Sequence, residues 1–244
     1  RSNTKKYDTI YIDPSRRVNS KKVFLLKDCE PDIIINLEFL RSRSELLMVK
    51  TAPLLDIHST IKELREVSSV HIVSIKNECK ELLYLIDSKN CVNDPIIICS
   101  LLGDDEPRTY SFRTSEERNF EITEYSEPLD YIYLPDVALL KAGCFKLITR
   151  DFGLHKIQIN THLYTSSKLN SSFPGRIFKL KNAWNYGTFM KEHGFKKANI
   201  ICRNFPLTPE NLKKKLKIND GGDEYLLFCT NKNNELIVLN CYRN

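Results

Sequence analysis

Short β-rich segments alternate with helical segments over the first hundred residues, and this alternation limits the possible folds more than any other feature. YDTIYI (7–12) and ELLMVK (45–50) are rich in β-branched, aromatic or aliphatic residues and are predicted strands. A helix is predicted between them over 31–42, beginning at Pro31, a residue that the first helical turn tolerates. This order predicts two neighbouring parallel strands joined by a helical crossover.

A second amphipathic helix and three further strands follow. Residues 54–67 place Leu54, Ile57, Ile61 and Leu64 at spacings of three or four, which predicts a helix. The next strand-like segments have little helix between them: VHIVSIK (70–76), CKELLYLID (79–87) and PIIICSLL (95–102). The predicted fold class is therefore α/β, with a parallel sheet that is finished by an antiparallel edge.

The first strand ends in a polar segment that is a candidate site. Asp13 and Pro14 follow it directly, and Ser15, Arg16 and Arg17 come next. Ligands of open parallel sheets bind beyond the carboxyl ends of the strands. Pro14 restricts the backbone of Asp13 and so fixes the direction of its carboxylate, while the arginines offer forked donors for phosphate or carboxylate. A plain turn is the alternative interpretation of this Asp-Pro pair.

The second strand ends in a similar way. Lys50 and Thr51 lie at its end, Pro53 stiffens the loop, and Asp56 is placed to cap the following helix. Because two adjacent strand ends share this layout, we predict one site at this edge. Arg17, Lys50 and Thr51 are its candidate substrate-binding residues.

An acidic segment with Gly and Pro, LLGDDEPR (101–108), predicts a domain boundary, giving domains 1–110 and 111–244. The second domain is predicted to be small and α+β. Its predicted helices cover 134–153, 183–194 and 208–217, and its predicted strands cover 155–166, 175–182, 197–205 and a closing hairpin.

Positive charge is concentrated in the second domain. Residues 141–219 hold 16 basic and 3 acidic side chains, although the net charge of the whole chain is +6. Such a region is typical of a surface that binds phosphates, and a solvated lysine-rich face is the alternative. The candidate RNA-binding residues are Arg176, Lys179, Lys196, Lys197, Arg203, Lys213, Lys214, Lys215 and Lys217.

The eight cysteines show no CxxC spacing, which indicates reduced, packed thiols and neither a zinc site nor a disulfide framework. No metal site is predicted. The chain also contains no apolar run long enough to span a membrane and no secretory leader, so we expect a soluble, cytoplasmic protein without a membrane partner.

Several of these segments carry a resemblance to a known family. YIDPSRR, LKDCEPD, LMVKTAPLLDI and VHIVSIKNECKELL resemble the second half of a class I S-adenosylmethionine-dependent methyltransferase. More closely, the chain resembles a bacterial family of such enzymes with a THUMP-like C-terminal domain, which YLPDVALLKAGCFKLI, NTHLYTS, FPGRIF and NDGGDEYLLF resemble. The resemblance implies that Asp13 lies against the reacting group of the substrate, with Pro14, Ser15 and Arg16 forming its loop.

The sequence departs from related methyltransferases at two positions. Arg16 stands where many relatives that methylate a base nitrogen have an aromatic residue for stacking. Relatives that methylate carbon 5 of uracil need a cysteine after the next strand, where this chain reads KTAP.

The resemblance also implies a Gly-containing cofactor loop that precedes YDTIYI in such enzymes. The chain has only 8 glycines and none forms such a loop in the first domain. We therefore expect a C-terminal piece of a longer methyltransferase, with S-adenosylmethionine bound weakly or not at all by this chain alone. The predicted partners are RNA and the missing N-terminal portion. The alternatives are a non-catalytic RNA-binding module on a methyltransferase-like scaffold and a methyltransferase acting on a small molecule or a protein.

Overall fold

The computed structural model contains two compact units. Unit 1 comprises Arg1–Asn119 and Val137–Gly143, and unit 2 comprises Phe120–Asp136 and Cys144–Asn244. The structure describes residues 5–15, 17–18, 21–22, 26, 29–90, 92–103 and 106–243, with the backbone alone for 17–18 and 21–22.

Unit 1 contains eight strands and four helices among the described residues. Its strands are β1 (Tyr7–Ile12), β2 (Arg17–Val18), β3 (Lys21–Lys22), β4 (Ser44–Thr51), β5 (Ser69–Ile75), β6 (Glu78–Asp87), β7 (Ile96–Leu102) and β8 (Arg108–Arg113). Its helices are α1 (Ile33–Arg41), α2 (Ile57–Leu64), α3 (Thr114–Asn119) and α4 (Val137–Ala142).

Six of these strands form one mixed sheet in the order β1-β4-β6-β5-β7-β8. The β1–β4 and β5–β7 pairs are parallel, and the other neighbours are antiparallel. The β5–β6 hairpin turns at Lys76 and Asn77, which both have positive φ, as the tight turns of twisted hairpins require. These pairings place β6 in the interior of the sheet.

The structure confirms the predicted α/β class, and β8 is an antiparallel edge strand. The antiparallel strand β6 between β4 and β5 is an additional feature that the segment order did not predict. The predicted boundary at residue 110 falls inside β8, which pairs with β7 along its length. Unit 1 therefore extends to Asn119 and also includes α4, which packs against β5, β6 and β7.

The crossover helices begin at acidic caps. Asp32 accepts a hydrogen bond of 3.1 Å from the amide of Ile35, so α1 begins two residues after Pro31. Asp56 accepts one of 2.7 Å from the amide of Ser59 at the start of α2, as predicted. Each carboxylate satisfies an otherwise unpaired amide of the first helical turn.

Unit 2 contains seven strands and three helices among the described residues. Its strands are β9 (Tyr131–Pro135), β10 (His155–Lys156), β11 (Tyr164–Ser166), β12 (Gly175–Asn185), β13 (Asn199–Arg203), β14 (Glu224–Thr230) and β15 (Leu236–Arg243). Its helices are α5 (Leu147–Phe152), α6 (Tyr186–Glu192) and α7 (Pro209–Leu216).

The strands of unit 2 form one sheet in the order β10-β11-β9-β12-β15-β14-β13. One face carries a core cluster that includes Phe178, Leu227 and Cys229. The other face carries a second cluster, in which Phe189 of α6 and Leu212 of α7 are fully buried. Alternate residues of each strand therefore contribute to opposite faces.

Two elements predicted for the second domain are wrong. The helix predicted over 134–153 is interrupted, because residues up to Pro135 pair as β9 and Gly143 has a φ of +74°, which ends α4. The single strand predicted over 155–166 is wrong as well. The structure has two short strands there, β10 and β11, separated by a turn in which His162 has positive φ.

Helix α7 and the final hairpin are confirmed. Thr208 caps α7 by accepting from the amide of Asn211 at 3.3 Å, Pro209 is its first residue, and Leu212 and Leu216 are buried. β14 and β15 pair antiparallel. Among the described residues, no helix combines the length and apolar character needed to cross a membrane.

Candidate functional site

The parallel pairing of β1 with β4 brings the two predicted strand ends together. Ile12 pairs with Val49, so Asp13 and Lys50 are the next residues of the two strands. Both strands end at the same edge of the sheet because they run in the same direction. The predicted proximity of Asp13 and Lys50 is therefore present in the structure.

Lys50 lies between two carboxylates. Its Nζ donates a hydrogen bond of 2.8 Å to Oδ2 of Asp13 and lies 3.5 Å from Oε1 of Glu81 on β6. The exposed fraction of the side chain is 27% for Lys50 and 48% for Asp13. Lys50 therefore holds the Asp13 carboxylate on one side, and another side is open to solvent. The pair can therefore position a group that approaches from solvent.

The electrostatics of this cluster keep Lys50 charged. Its hydrogen bond to Asp13 raises the pKa of Lys50 above the ordinary value, and the negative charges of Glu81 and Asp13 act in the same direction against partial burial. Lys50 therefore donates to the Asp13 carboxylate as a cation, and the exposed side of that carboxylate can accept a further hydrogen bond.

The loop after Asp13 is anchored by its backbone. Pro14 is buried, and Ser15 exchanges two backbone hydrogen bonds with Glu30, of 2.7 and 3.1 Å. Arg16, predicted to belong to this loop, lies outside the described residues. The backbone of Arg17 belongs to β2, which pairs with β3.

Thr51 does not face solvent. Its side chain is buried, and the hydroxyls of Thr51 and Thr60 lie close enough to that of Tyr84 on β6 to act against the effect of burial on the pKa of Tyr84. Burial raises the pKa of Tyr84 to about 12. The predicted contact of Thr51 with a substrate stays a prediction, and its present surroundings are those of a core residue.

Glu81 is the residue of this cluster that the sequence alone did not reveal. In the sequence it stands near Cys79 and Glu78, with no histidine that would complete a metal site. Its approach to Lys50 follows from the position of β6 next to β4, where Lys50 pairs with Leu83. The period-2 pattern of β6 was readable in the sequence, but its neighbour in the sheet was not.

Eight of the nine predicted RNA-binding residues of unit 2 fall into two groups. Most lie on α7 or beside it, since residues 196–198 pair with Asn219 just after this helix. Lys214 and Lys215 are exposed, whereas Lys213 forms an ion pair of 2.8 Å with Asp220. The exposed members of this group are Lys196, Lys197, Lys214, Lys215 and Lys217.

Arg176 and Arg203 form the second group, on the sheet face that carries Phe178. Both are half-buried and lie on β12 and β13. Lys179, the remaining candidate, is exposed and projects from the opposite face of β12. The structure thus does not bring all nine predicted residues onto one surface.

Two stretches of unit 2 match known domain families. Residues 131–174 match a ferredoxin-like domain. Residues 188–243 match a THUMP domain-like family. The predicted THUMP-like character is therefore confirmed for residues 188–243, whereas the segments 133–148 and 160–166, also predicted to be THUMP-like, lie in the ferredoxin-like match.

The chain as a whole is similar to one solved structure. This is the crystal structure of a "putative methyltransferase" from Porphyromonas gingivalis, with a TM-score of 0.89 and 33% sequence identity. The match covers 97% of this chain and 59% of the other, so this chain spans little more than half of that protein's length. A comparison with curated proteins gives no match.

Proposed function

We propose that this chain is the substrate-side part of an S-adenosylmethionine-dependent methyltransferase that acts on a base in structured RNA. The observation that carries the proposal is the hydrogen bond between Lys50 and Asp13 at the carboxyl ends of two parallel strands. The similarity to a putative methyltransferase over 97% of the chain supports it.

In this proposal Asp13 orients the acceptor group. Its carboxylate accepts a hydrogen bond from an amino or ring N–H group of the base, while Lys50 holds the carboxylate in place from the other side. Methyl transfer depends on the alignment of donor and acceptor more than on a strong acid or base. A fixed carboxylate that is partly open to solvent suits this task.

We assign the binding of the methyl donor to a preceding part of a longer polypeptide. The sequence has no glycine before Gly103, so β1 and β4 are not followed by a Gly-rich loop that could approach the donor. The outer edge of β1 pairs with no other strand in the part of the chain that the structure describes. A further strand could add there.

Unit 2 would hold the RNA. Its THUMP-like match, its excess of basic residues and the exposed lysines around α7 support this role. A reducing compartment such as the cytoplasm fits the burial of the cysteines, since Cys99, Cys144, Cys229 and Cys241 are fully buried.

The test compares Asp13→Asn with Asp8→Asn in the longest natural form of the protein. Asp8 is an exposed carboxylate on the same strand and serves as the matched control. Transfer of labelled methyl groups to RNA should fall by about 100-fold or more in Asp13→Asn, with RNA affinity unchanged, because alignment is lost. Asp8→Asn should transfer methyl groups at the wild-type rate.

Two results would count against the proposal. If wild-type protein binds RNA and transfers no methyl group, the non-catalytic RNA-binding module is the better description. If methyl transfer occurs to a small molecule or a protein and RNA does not compete, the substrate class is wrong.

A further inference from the structure

Two arginines of unit 2 project from the same face of its sheet. Arg176 lies two residues before Phe178 on β12, so both side chains point to the same side. Arg203 on β13 pairs with Cys229, which belongs to the same core cluster as Phe178. The sheet therefore directs two guanidinium groups over one face.

Neither guanidinium has a carboxylate partner. No acidic oxygen of the described residues lies within ion-pair distance of Arg176 or Arg203, and the Nε of each is buried without a hydrogen-bond partner. Arg203 donates from Nη1 to the carbonyl of Cys202 at 3.3 Å, and Arg176 lies 6.0 Å from the ring centre of Phe178. Several donors of both groups remain available.

Further groups lie close enough to influence this pair. Burial lowers the pKa of Arg176 and the positive charge of Arg203 lowers it further; Tyr225 and Asp136 act in the opposite sense, and Arg243 adds a smaller lowering effect. Burial likewise lowers the pKa of Arg203. Burial thus disfavours the charged form of both arginines.

His162 adds an uncharged polar group beside Arg203. Burial and the positive charges of Lys156 and Arg203 lower the pKa of His162 to about 4, so its ring is neutral at pH 7. The ring stacks on Phe145 with centres 3.8 Å apart, and its Nδ1 is buried without a hydrogen-bond partner among the described residues. A neutral imidazole can donate one hydrogen bond to an oxygen.

Two half-buried cations without an ion-pair partner are unfavourable unless a ligand compensates them. Phosphate oxygens match the forked donors of arginine and are the usual partners of such groups. We propose that Arg176 and Arg203 form a discrete binding site for one phosphate group, with His162 beside it. In the intact enzyme this phosphate belongs to the RNA, and that part of the proposal rests on the proposed function.

This site differs in kind from the lysines around α7. The exposed lysines of that group, Lys196, Lys197, Lys214, Lys215 and Lys217, should bind phosphates weakly and without fixed geometry. The arginine site is partly desolvated, and its donors are oriented by the sheet. It should therefore bind a small phosphate compound even without RNA.

The test measures pyrophosphate binding by calorimetry at low ionic strength. The variants are Arg176→Gln and Arg203→Gln, with Lys168→Gln/Lys191→Gln as a control that removes two exposed charges of unit 2. Wild type should bind one pyrophosphate per chain. Each arginine variant should lose about tenfold or more in affinity, and the control should change less than about twofold.

Thermal unfolding separates a lost ligand from a lost fold. Without ligand, each arginine variant should unfold at or above the wild-type temperature, because an uncompensated charge has been removed. Pyrophosphate should raise the unfolding temperature of wild type and of the control but not of the arginine variants. Wild-type affinity in the arginine variants, or no pyrophosphate binding by wild type, would overturn the site.

A competition experiment then identifies the source of the phosphate. Displacement of pyrophosphate by an RNA hairpin supports an RNA phosphate in this site. If RNA binds but pyrophosphate stays bound, the site exists for a free phosphate compound and the assignment to RNA is wrong. Failure of the proposed function has a different outcome: pyrophosphate binds while RNA neither binds nor becomes methylated.

Discussion

The Nζ of Lys50 lies 2.8 Å from Oδ2 of Asp13, although 37 residues separate the two along the chain. The contact exists because β1 and β4 pair in parallel and end at the same edge of the sheet. Glu81 contacts the same ammonium group from the antiparallel strand β6. One cation thus joins the ends of three adjacent strands.

A double-mutant cycle with Asp13→Asn and Lys50→Met should give a coupling energy below about 1 kcal/mol at pH 7, because both side chains are partly exposed. The folded-state pKa of Lys50 is raised above 10.5. The stabilisation of the fold by charged Lys50 is therefore fully present below pH 10.5. It is lost as the pH rises through the folded-state pKa. Urea unfolding at a series of pH values measures this coupling, and a coupling that does not change up to strongly alkaline pH would contradict the assignment.

Tyr84 should make the protein sensitive to alkali. Its pKa is about 12 in the fold against 10 for an exposed tyrosine. The unfolded chain therefore ionises first, so stability is unaffected below pH 10 and falls as the pH approaches 12, by up to about 2 kcal/mol. Tyr84→Phe should remove that part of the pH dependence in urea unfolding and cost little at pH 7. Tyr7→Phe, which alters an exposed tyrosine on β1, is the control and should leave the dependence unchanged.

His162 should make the stability of the protein sensitive to acid. Its folded-state pKa of about 4 lies below the ordinary 6.5, so the unfolded chain binds the proton more readily. The contribution of neutral His162 to the free energy of unfolding is fully present above pH 6.5. It falls by about 2 kcal/mol as the pH approaches 4. His162→Asn retains a residue that tolerates the positive φ of this position and should flatten the curve. An unchanged acid dependence in this variant would show that the ring is not buried in neutral form.

Gly175 should not tolerate a side chain. A Cβ at this position would meet the carbonyl oxygen of Leu134 and would lie 2.6 Å from the ring of Phe173. Gly175→Ala should therefore lower the free energy of unfolding by about 2 kcal/mol or more. Gly194→Ala is the matched control, because a Cβ there would have no described atom within 4 Å, and it should be close to neutral. Equal stability of the two variants would contradict the packing described for β9 and β12.

The sequence allowed the strand ends of the site to be predicted because their signals are local. Hydrophobic composition marks β1 and β4, proline fixes the exits, and Asp56 caps a helix with a clear apolar period. Two parallel strands joined by a helix then bring Asp13 and Lys50 to one edge. These inferences need only neighbouring residues and one rule of topology.

Other features depend on contacts between residues far apart in the chain. The position of β6 between β4 and β5 is set by tertiary pairing, so the approach of Glu81 to Lys50 could not be predicted from the order of the segments. The regular apolar spacing over 134–153 predicted a single helix, but strand pairing and the positive φ of Gly143 interrupt it. The common face of Arg176 and Arg203 also depends on strand register, which the sequence does not display.

The interior position of β6 has a consequence for how tightly the sheet holds together. In the sheet formed by the described strands, the main-chain hydrogen bonds connect the β1–β4 pair to β5, β7 and β8 through this one strand. If β6 separated from β4, Asp13 and Lys50 would be left on a two-stranded sheet, which is marginally stable at best in water. Slow amide hydrogen exchange along β6 would show that this strand holds the β1–β4 pair, with Asp13 and Lys50, to the rest of the sheet.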